Sequence, residues 1–248
     1  MRVLRVELEA PVCSFRYPHF LVGRQLSFDM PPPSTIFGHI ASALGEWPDP
    51  ANVRFAYHFT VLGKGEDLEN QHIITPSSGR SLAGGERRAV DATVQPTRRE
   101  FLLGARLTLY LDRLEFRPAF EVPKFPVILG RSQDLGCYTR VGEVALEQAD
   151  RGYFEHTILP FEFRKRTARG ITVLMPRYVG PPPERDAAFE RFIVLSETVY
   201  HVPPEVEEPS GSRRMLNAAG ETLDLWVDPE SPEQKGMRRA VWLAPFVS

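Results

Sequence analysis

Residues 2–10 (RVLRVELEA) alternate, with Leu4, Val6 and Leu8 on one face and Arg5, Glu7 and Glu9 on the other. A period of two is that of a strand with one face buried. The loop that follows is bracketed by Pro11 and the triple proline 31–33. Ser34 then predicts an N-cap and Thr35–Leu44 a helix, with Ile36, Ile40, Ala43 and Leu44 inward and Gly45 set for a left-handed cap. The small Gly38 and Ala41 let this helix lie close to a sheet. Residues 53–62 alternate again, with Phe55, Tyr57, Phe59 and Val61 on one side, and 71–75 and 101–111 also predict strands.

Between those two strands lies SSGRSLAGGERRAVDATVQPTRR, rich in glycine and arginine and weakly apolar. A connection of this length in a compact domain is usually functional or mobile, and it predicts an extended hairpin or lobe projecting from the sheet. Pro118, Pro123 and Pro126 exclude a long helix over 113–130. Residues 139–147 and 171–179 predict strands, the second interrupted by Pro176. After a second triple proline at 181–183, Ala188, Phe192 and Leu195 share one helical face, which predicts a short helix over 184–196. The stretch 201–236 is polar, acidic and rich in Pro and Gly, and predicts loop with short strands. No internal repeat is present. The opening strand–helix–strand–strand order fits an α+β fold with a ferredoxin-like sheet carrying helices on one side.

Composition refines this picture. The 248 residues are 42% hydrophobic and 25% charged, enough for a sizeable core. No apolar run reaches the roughly 18 residues of a membrane span, and no secretory leader is apparent, so a cytoplasmic protein without a membrane is expected. Cys13 and Cys137 lack CxxC spacing and are expected as reduced thiols. Net charge is −2, but it is unevenly distributed. Residues 1–183 carry 23 basic and 20 acidic groups, against 7 and 12 over 184–248. Arg80, Arg87, Arg88, Arg98 and Arg99 cluster in one stretch, and Arg164, Lys165, Arg166 and Arg169 in another. Only four of the thirty basic residues are lysine. The planar arginine fork suits phosphate and base stacking, although a GC-rich genome gives the same bias.

Three stretches, in order, resemble one known family. They are the opening strand running into APVCSFRYP, the helix start MPPPSTIFGHIASALG, and FPVILGRSQDL at 125–135. The last is similar to the leucine-glycine-arginine turn of the CRISPR-associated Cas-five proteins. The resemblance covers residues 1–45 and 123–135, is looser over the basic insertion and 170–200, and is absent from the acidic tail. It implies a RAMP-superfamily, RRM-related ferredoxin-like domain over residues 1–200. It also implies a β-hairpin thumb inserted at 76–99 and a variable C-terminal part, here the acidic, Pro/Gly-rich residues 201–248, expected as an extension packed on or beside the domain. The implied role is that of a Cascade subunit. Such a subunit holds the 5′ handle of crRNA, caps the filament of backbone subunits, touches the large subunit and kinks the guide with its thumb. Target DNA beside the protospacer-adjacent motif extends the set of implied partners.

Unpaired RNA is held by stacking its bases on aromatic or guanidinium planes and by cations and backbone N–H groups at its phosphates. The loop 14–24 offers Arg16 and Arg24 for phosphates. Phe15, Tyr17 and Phe20 either stack bases or pin the loop to the core. Ser34 and Thr35 open the helix, where free amides favour an anion. In Gly130–Arg131–Ser132, glycine allows close backbone approach while Arg131 supplies a fork and Ser132 a hydroxyl. Arg80, Arg87, Arg88, Arg98 and Arg99, interspersed with glycine, make a cationic arm. The run 164–169 is either a phosphate or acidic-partner contact or a solvated face.

Metal-independent RNA cleavage needs a base, an acid and a cation near the phosphate. None of the four lysines has a histidine beside it, so the Lys-His pair of the RNA-processing members is missing. His39, in the first helix, is the best single candidate base, with Tyr17 or Tyr57 to assist it, and its neighbours Phe37 and Ile40 favour a packing role. No HExxH, CxxC, Walker or GxSxG pattern occurs, so neither a metal nor a cofactor is expected. The sequence therefore predicts a non-catalytic RNA clamp. A precursor-crRNA endoribonuclease using His39 is the alternative.

Overall fold

The computed structural model describes residues 1–19, 23–76, 90–167, 169–203 and 225–247. Strands dominate. The opening alternation forms β1 (Arg2–Cys13), followed by the short β2 (Arg24–Gln25) and the helix α1 (Pro33–Leu44). Next come β3 (Arg54–Thr60), β4 (Gly63–Pro76), the 22-residue β5 (Val90–Leu111) and the short α2 (Arg117–Glu121). Then follow β6 (Cys137–Ala145), β7 (Glu147–Ala149), β8 (Gly152–Phe154), β9 (Thr157–Pro160), β10 (Ile171–Val179) and β11 (Ala187–Leu195). The chain closes with β12 (Val199–His201), β13 (Leu225–Asp228), β14 (Arg239–Val241) and β15 (Ala244–Pro245).

The main sheet has the order β15-β3-β5-β1-β6, with β2 and β4 also paired to β5. Its four central strands are antiparallel throughout, with α1 connecting β1 to β3 and α2 lying between β5 and β6. Leu4, Val6 and Leu8 of β1 and Phe55, Tyr57 and Phe59 of β3 share the main core with Ile36, Phe37 and Ile40 of α1. β5 holds the sheet together because it is longer than its neighbours. Its C-terminal half pairs with β1 and β3, and its N-terminal half runs on with β4 as a two-stranded ribbon. That ribbon is in register from Gly63↔Leu103 out to Pro76↔Val90.

Two details differ from expectation. α1 begins at Pro33, with Pro32 as its cap residue: the Thr35 and Ile36 amides donate to the Pro32 carbonyl at 2.9 and 3.2 Å. Proline in the first turn is preset for helical φ and sacrifices no needed amide, so Ser34 lies inside the first turn and not at the cap. Gly45 ends the helix at φ 80°, its N–H donating to Ala41 O at 2.8 Å. The expected helix over 184–196 is strand β11. Its apolar run Phe192–Leu195 is buried on both sides, with Phe192 and Val194 in the main core and Ile193 and Leu195 in a second one. A strand covered on both faces loses its polar alternation and imitates a helical stripe.

β9, β10 and β11 form a three-stranded sheet, and β12-β8-β14-β13-β7 a five-stranded one. The latter interleaves residues 147–154 with 225–241 and covers the outer face of β1 and β5. Val3, Tyr110, Val144 and Leu146 pack there against Val241, Trp226 and Leu243. Arg5, expected on a solvent face, is buried beneath this layer. It binds Asp228 at 3.3 Å and Glu230 at 2.7 Å, while the Tyr110 hydroxyl donates to Asp228 at 2.7 Å.

Candidate nucleic-acid interface

The return loop after β1 and the turn at 128–135 meet at the base of the β4–β5 ribbon. Ser14 Oγ donates to Glu100 O at 2.7 Å, and β2 pairs in parallel with Arg98 and Arg99. Arg16 faces Ser27 in an antiparallel bridge, and the Arg98 amide donates to Gly23 O at 3.0 Å. From the other side comes Gly130, at φ 105°. A Cβ there would lie 2.4 Å from Ser14 O, so only glycine allows the two backbones this contact. Ser14, Arg16, Tyr17, Arg24, Arg98, Arg99, Gly130 and Arg131 are thereby brought to one place from three distant stretches.

Their electrostatic states differ. Arg16 and Arg98 are exposed and make no ion pair among the described residues. Arg24 pairs with Glu66 and, at 3.0 Å, with Glu100. Arg99 binds Glu69 at 3.1 Å. Arg131 is only 8% exposed in its side chain, and its fork embraces Asp134 at 2.9 Å while Nη1 reaches Glu69 at 2.6 Å. Burial pushes the Glu69 carboxyl up, but hydrogen bonds from Arg131 and Arg99 hold it below its ordinary range. Glu69 thus ties the ribbon to the 128–135 turn. Tyr17 stacks on Phe28 with ring centroids 3.8 Å apart, and burial, aided by Asp29 and Glu100, raises its hydroxyl. Phe15 is buried in the core. Arg80, Arg87, Arg88 and Phe20 lie outside the described residues.

Ser34, Thr35 and Gly130 lie on a neighbouring cleft of about 430 Å³, together with Gly38, Trp47 and Arg185. Ser132 is exposed at the turn. His39 lines the same cleft, with both ring nitrogens engaged. Nδ1 lies 3.2 Å from Ile128 O and Nε2 lies 2.9 Å from Tyr138 Oη. A carbonyl only accepts, so Nδ1 carries the proton and Nε2 accepts from tyrosine. Burial lowers its pKa to about 4, against the pull of the Ile128 carbonyl, leaving a neutral ring at pH 7. Among the described residues no group of three His, Cys, Asp or Glu side chains could hold a metal ion, and no helix is long and apolar enough to cross a membrane.

The residues missed by sequence reasoning are the carboxylates Glu69, Glu100 and Asp134. Asp134, three residues after Arg131 in a turn, carried a local signal; Glu69 and Glu100 depend on strand register and carried none.

Residues 3–164 match the model of a family described as CRISPR-associated protein (Cas_Cas5), which spans well over half of the chain. The chain belongs to the Cas5 family. Among solved structures, the Cas5 chain is similar to one described as a CRISPR RNA-guided surveillance complex, at 16% identity and TM-score 0.48, covering 78% of this chain and 88% of that one. A CRISPR protein from Archaeoglobus fulgidus matches at 14% identity and TM-score 0.41, covering 79% and 87%. A type III-B Cmr-beta complex bound to cognate target RNA matches at 12% identity and TM-score 0.46, covering 80% and 86%. A comparison with curated proteins finds no match.

Proposed function

We propose that this Cas5 protein is a non-catalytic subunit of a CRISPR surveillance complex of the Cascade type, and that it clamps the 5′ handle of crRNA at the base of the β4–β5 ribbon. The observation that carries the reading is the pair of exposed, unneutralised guanidinium groups, Arg16 and Arg98, on a base stiffened by the Arg99–Glu69–Arg131–Asp134 network. Unpaired arginines on a rigid seat can meet phosphates without first breaking an ion pair. In this reading the paired arginines hold the seat, and Arg16 and Arg98 hold the strand.

The strand order β6-β1-β5-β3, with a helix in each crossover, supports a ferredoxin-like, RRM-related core. The ribbon, continued by the arginine-rich residues 77–89, is then the thumb that kinks the guide. Backbone and large subunits of the complex are the protein partners, with target DNA passing close by. The engagement of both His39 nitrogens supports a packing role and speaks against the endoribonuclease alternative. Incubating the purified protein with labelled repeat RNA in EDTA tests both halves of the proposal. Retention of intact RNA is expected, and cleavage at one position would overturn the non-catalytic assignment.

A further inference from the structure

The three-stranded sheet carries a second surface, well separated in sequence from the ribbon. Register places Leu174 of β10 opposite Arg191 of β11, and Phe192 opposite Pro160 of β9, so Phe161 follows as the next position beside Arg191. The contact is direct: the Arg191 guanidinium carbon lies 5.8 Å from the Phe161 ring centroid, and that of Arg164 lies 5.5 Å from it. Leu174, Arg191, Phe161 and Arg164 therefore form one continuous row across the sheet. Phe189, 43% exposed, extends it by one row, paired with Pro176.

Charge on this sheet is sorted by face. The exposed strand positions of this face are Thr172 and Leu174 of β10 and Phe189 and Arg191 of β11, with no carboxylate among them, while Ile193 and Leu159 further along the same face are buried in the second core. Glu190 points the other way and pairs with Arg177. In the turn Phe161–Lys165, Glu162 stands beside Arg164 and Lys165. Arg164, Lys165, Arg169 and Arg191 make no ion pair among the described residues. A solvated surface ordinarily intersperses its charges; this one keeps cations next to exposed aromatic and aliphatic groups.

We propose that this face is a second contact for single-stranded nucleic acid, with Arg164 and Arg191 at the phosphates and Phe161 and Phe189 presenting ring surface to the bases. The chemistry fits a single strand better than an acidic peptide. Guanidinium planes already lying against a ring give a base a stacking partner, and two rows of platform follow a backbone. The face adjoins the return loop after β1, Phe189 lying 6.3 Å from the His19 ring, and the paired variants R164E/R191E and R16E/R98E separate it from the handle clamp. RNA and DNA single strands share the recognised chemistry, and binding to each identifies the source.

The test uses the full chain and end-labelled homopolymeric RNA and DNA strands, followed by fluorescence anisotropy across a salt series. R164E/R191E is compared with R16E/R98E, each first checked by thermal melting. R164E/R191E is expected to bind one or both strands about tenfold more weakly, with a salt slope reduced by about 1.4, as for two lost phosphate contacts on a single strand. Photocrosslinking of the wild-type protein supplies a measurement free of folding effects. A nucleotide adduct on the segment 159–165 or 189–193 is expected, and it should persist in R16E/R98E. Unchanged isotherms for R164E/R191E, or a wild-type protein whose adducts all lie elsewhere, would overturn the proposal. Loss of binding in R16E/R98E alone would leave the ribbon clamp standing and remove this second face.

Discussion

Arg131 and His39 show how far a residue's surroundings decide its chemistry. The turn 130–132 reads from sequence as a fork offered to RNA, yet the fork is closed around Asp134 and Glu69. Asp134→Ala removes the carboxylate that accepts from the Arg131 fork and backbone amide but leaves Glu69 on the same guanidinium. It is expected to lower stability by about 1–3 kcal/mol in urea unfolding at pH 7, whereas charge reversal at exposed Arg16 should leave the midpoint nearly unchanged. His39 gives a pH signature. Its folded pKa of about 4 lies below the ordinary 6.5, so the unfolded chain binds the extra proton first. Its contribution is present above pH 6.5 and is lost as pH falls towards 4, a change of about 3 kcal/mol at most. His39→Gln should flatten the stability profile across that window. An unaltered profile would mean that the ring is not buried neutral. Packing of His39 was legible from its apolar neighbours; its tyrosine partner, 99 residues away, was not.

At the scale of elements, local period served well where one face of a strand meets solvent and failed where both are covered. The alternation in β3 and the left-handed Gly45 were readable, as was the break at Pro176, where β10 shifts register against β11. β11 was misread because its last four residues are buried on both sides, an outcome of tertiary packing that periodicity does not encode. The sequence predicts an extended hairpin or lobe over 76–99, whereas the described β4–β5 ribbon already begins at Gly63, a start without a signal because β4 between Gly63 and Asn70 carries no apolar stripe. Gly130 shows how tightly the ribbon base is assembled. Gly130→Ala would force a methyl group against the Ser14 carbonyl at a left-handed φ. A loss of about 1–3 kcal/mol is expected in thermal or urea unfolding, together with weaker RNA retention. A variant as stable as wild type would show that the two loops are not rigidly joined.

For the whole molecule, the sequence suggested a domain with an acidic extension, whereas the described C-terminal strands are built into two sheets. β15 pairs with β3, and β13 and β14 cover the outer face of the main sheet over the buried Arg5–Asp228–Tyr110 network. Arg5 looked like a solvent-facing strand residue because its partner lies 223 positions away. This layer covers part of the outer face of the main sheet and leaves the ribbon base and its loops outside it. If Arg16 and Arg98 hold a strand at the ribbon base, the wild-type protein and R16E/R98E will differ in affinity for repeat RNA, measured over a salt series at pH 7. A fall of at least tenfold, with a salt slope smaller by about 1.4 and an unchanged melting temperature, is the predicted result. Equal affinity and equal slope in a folded variant would contradict the clamp.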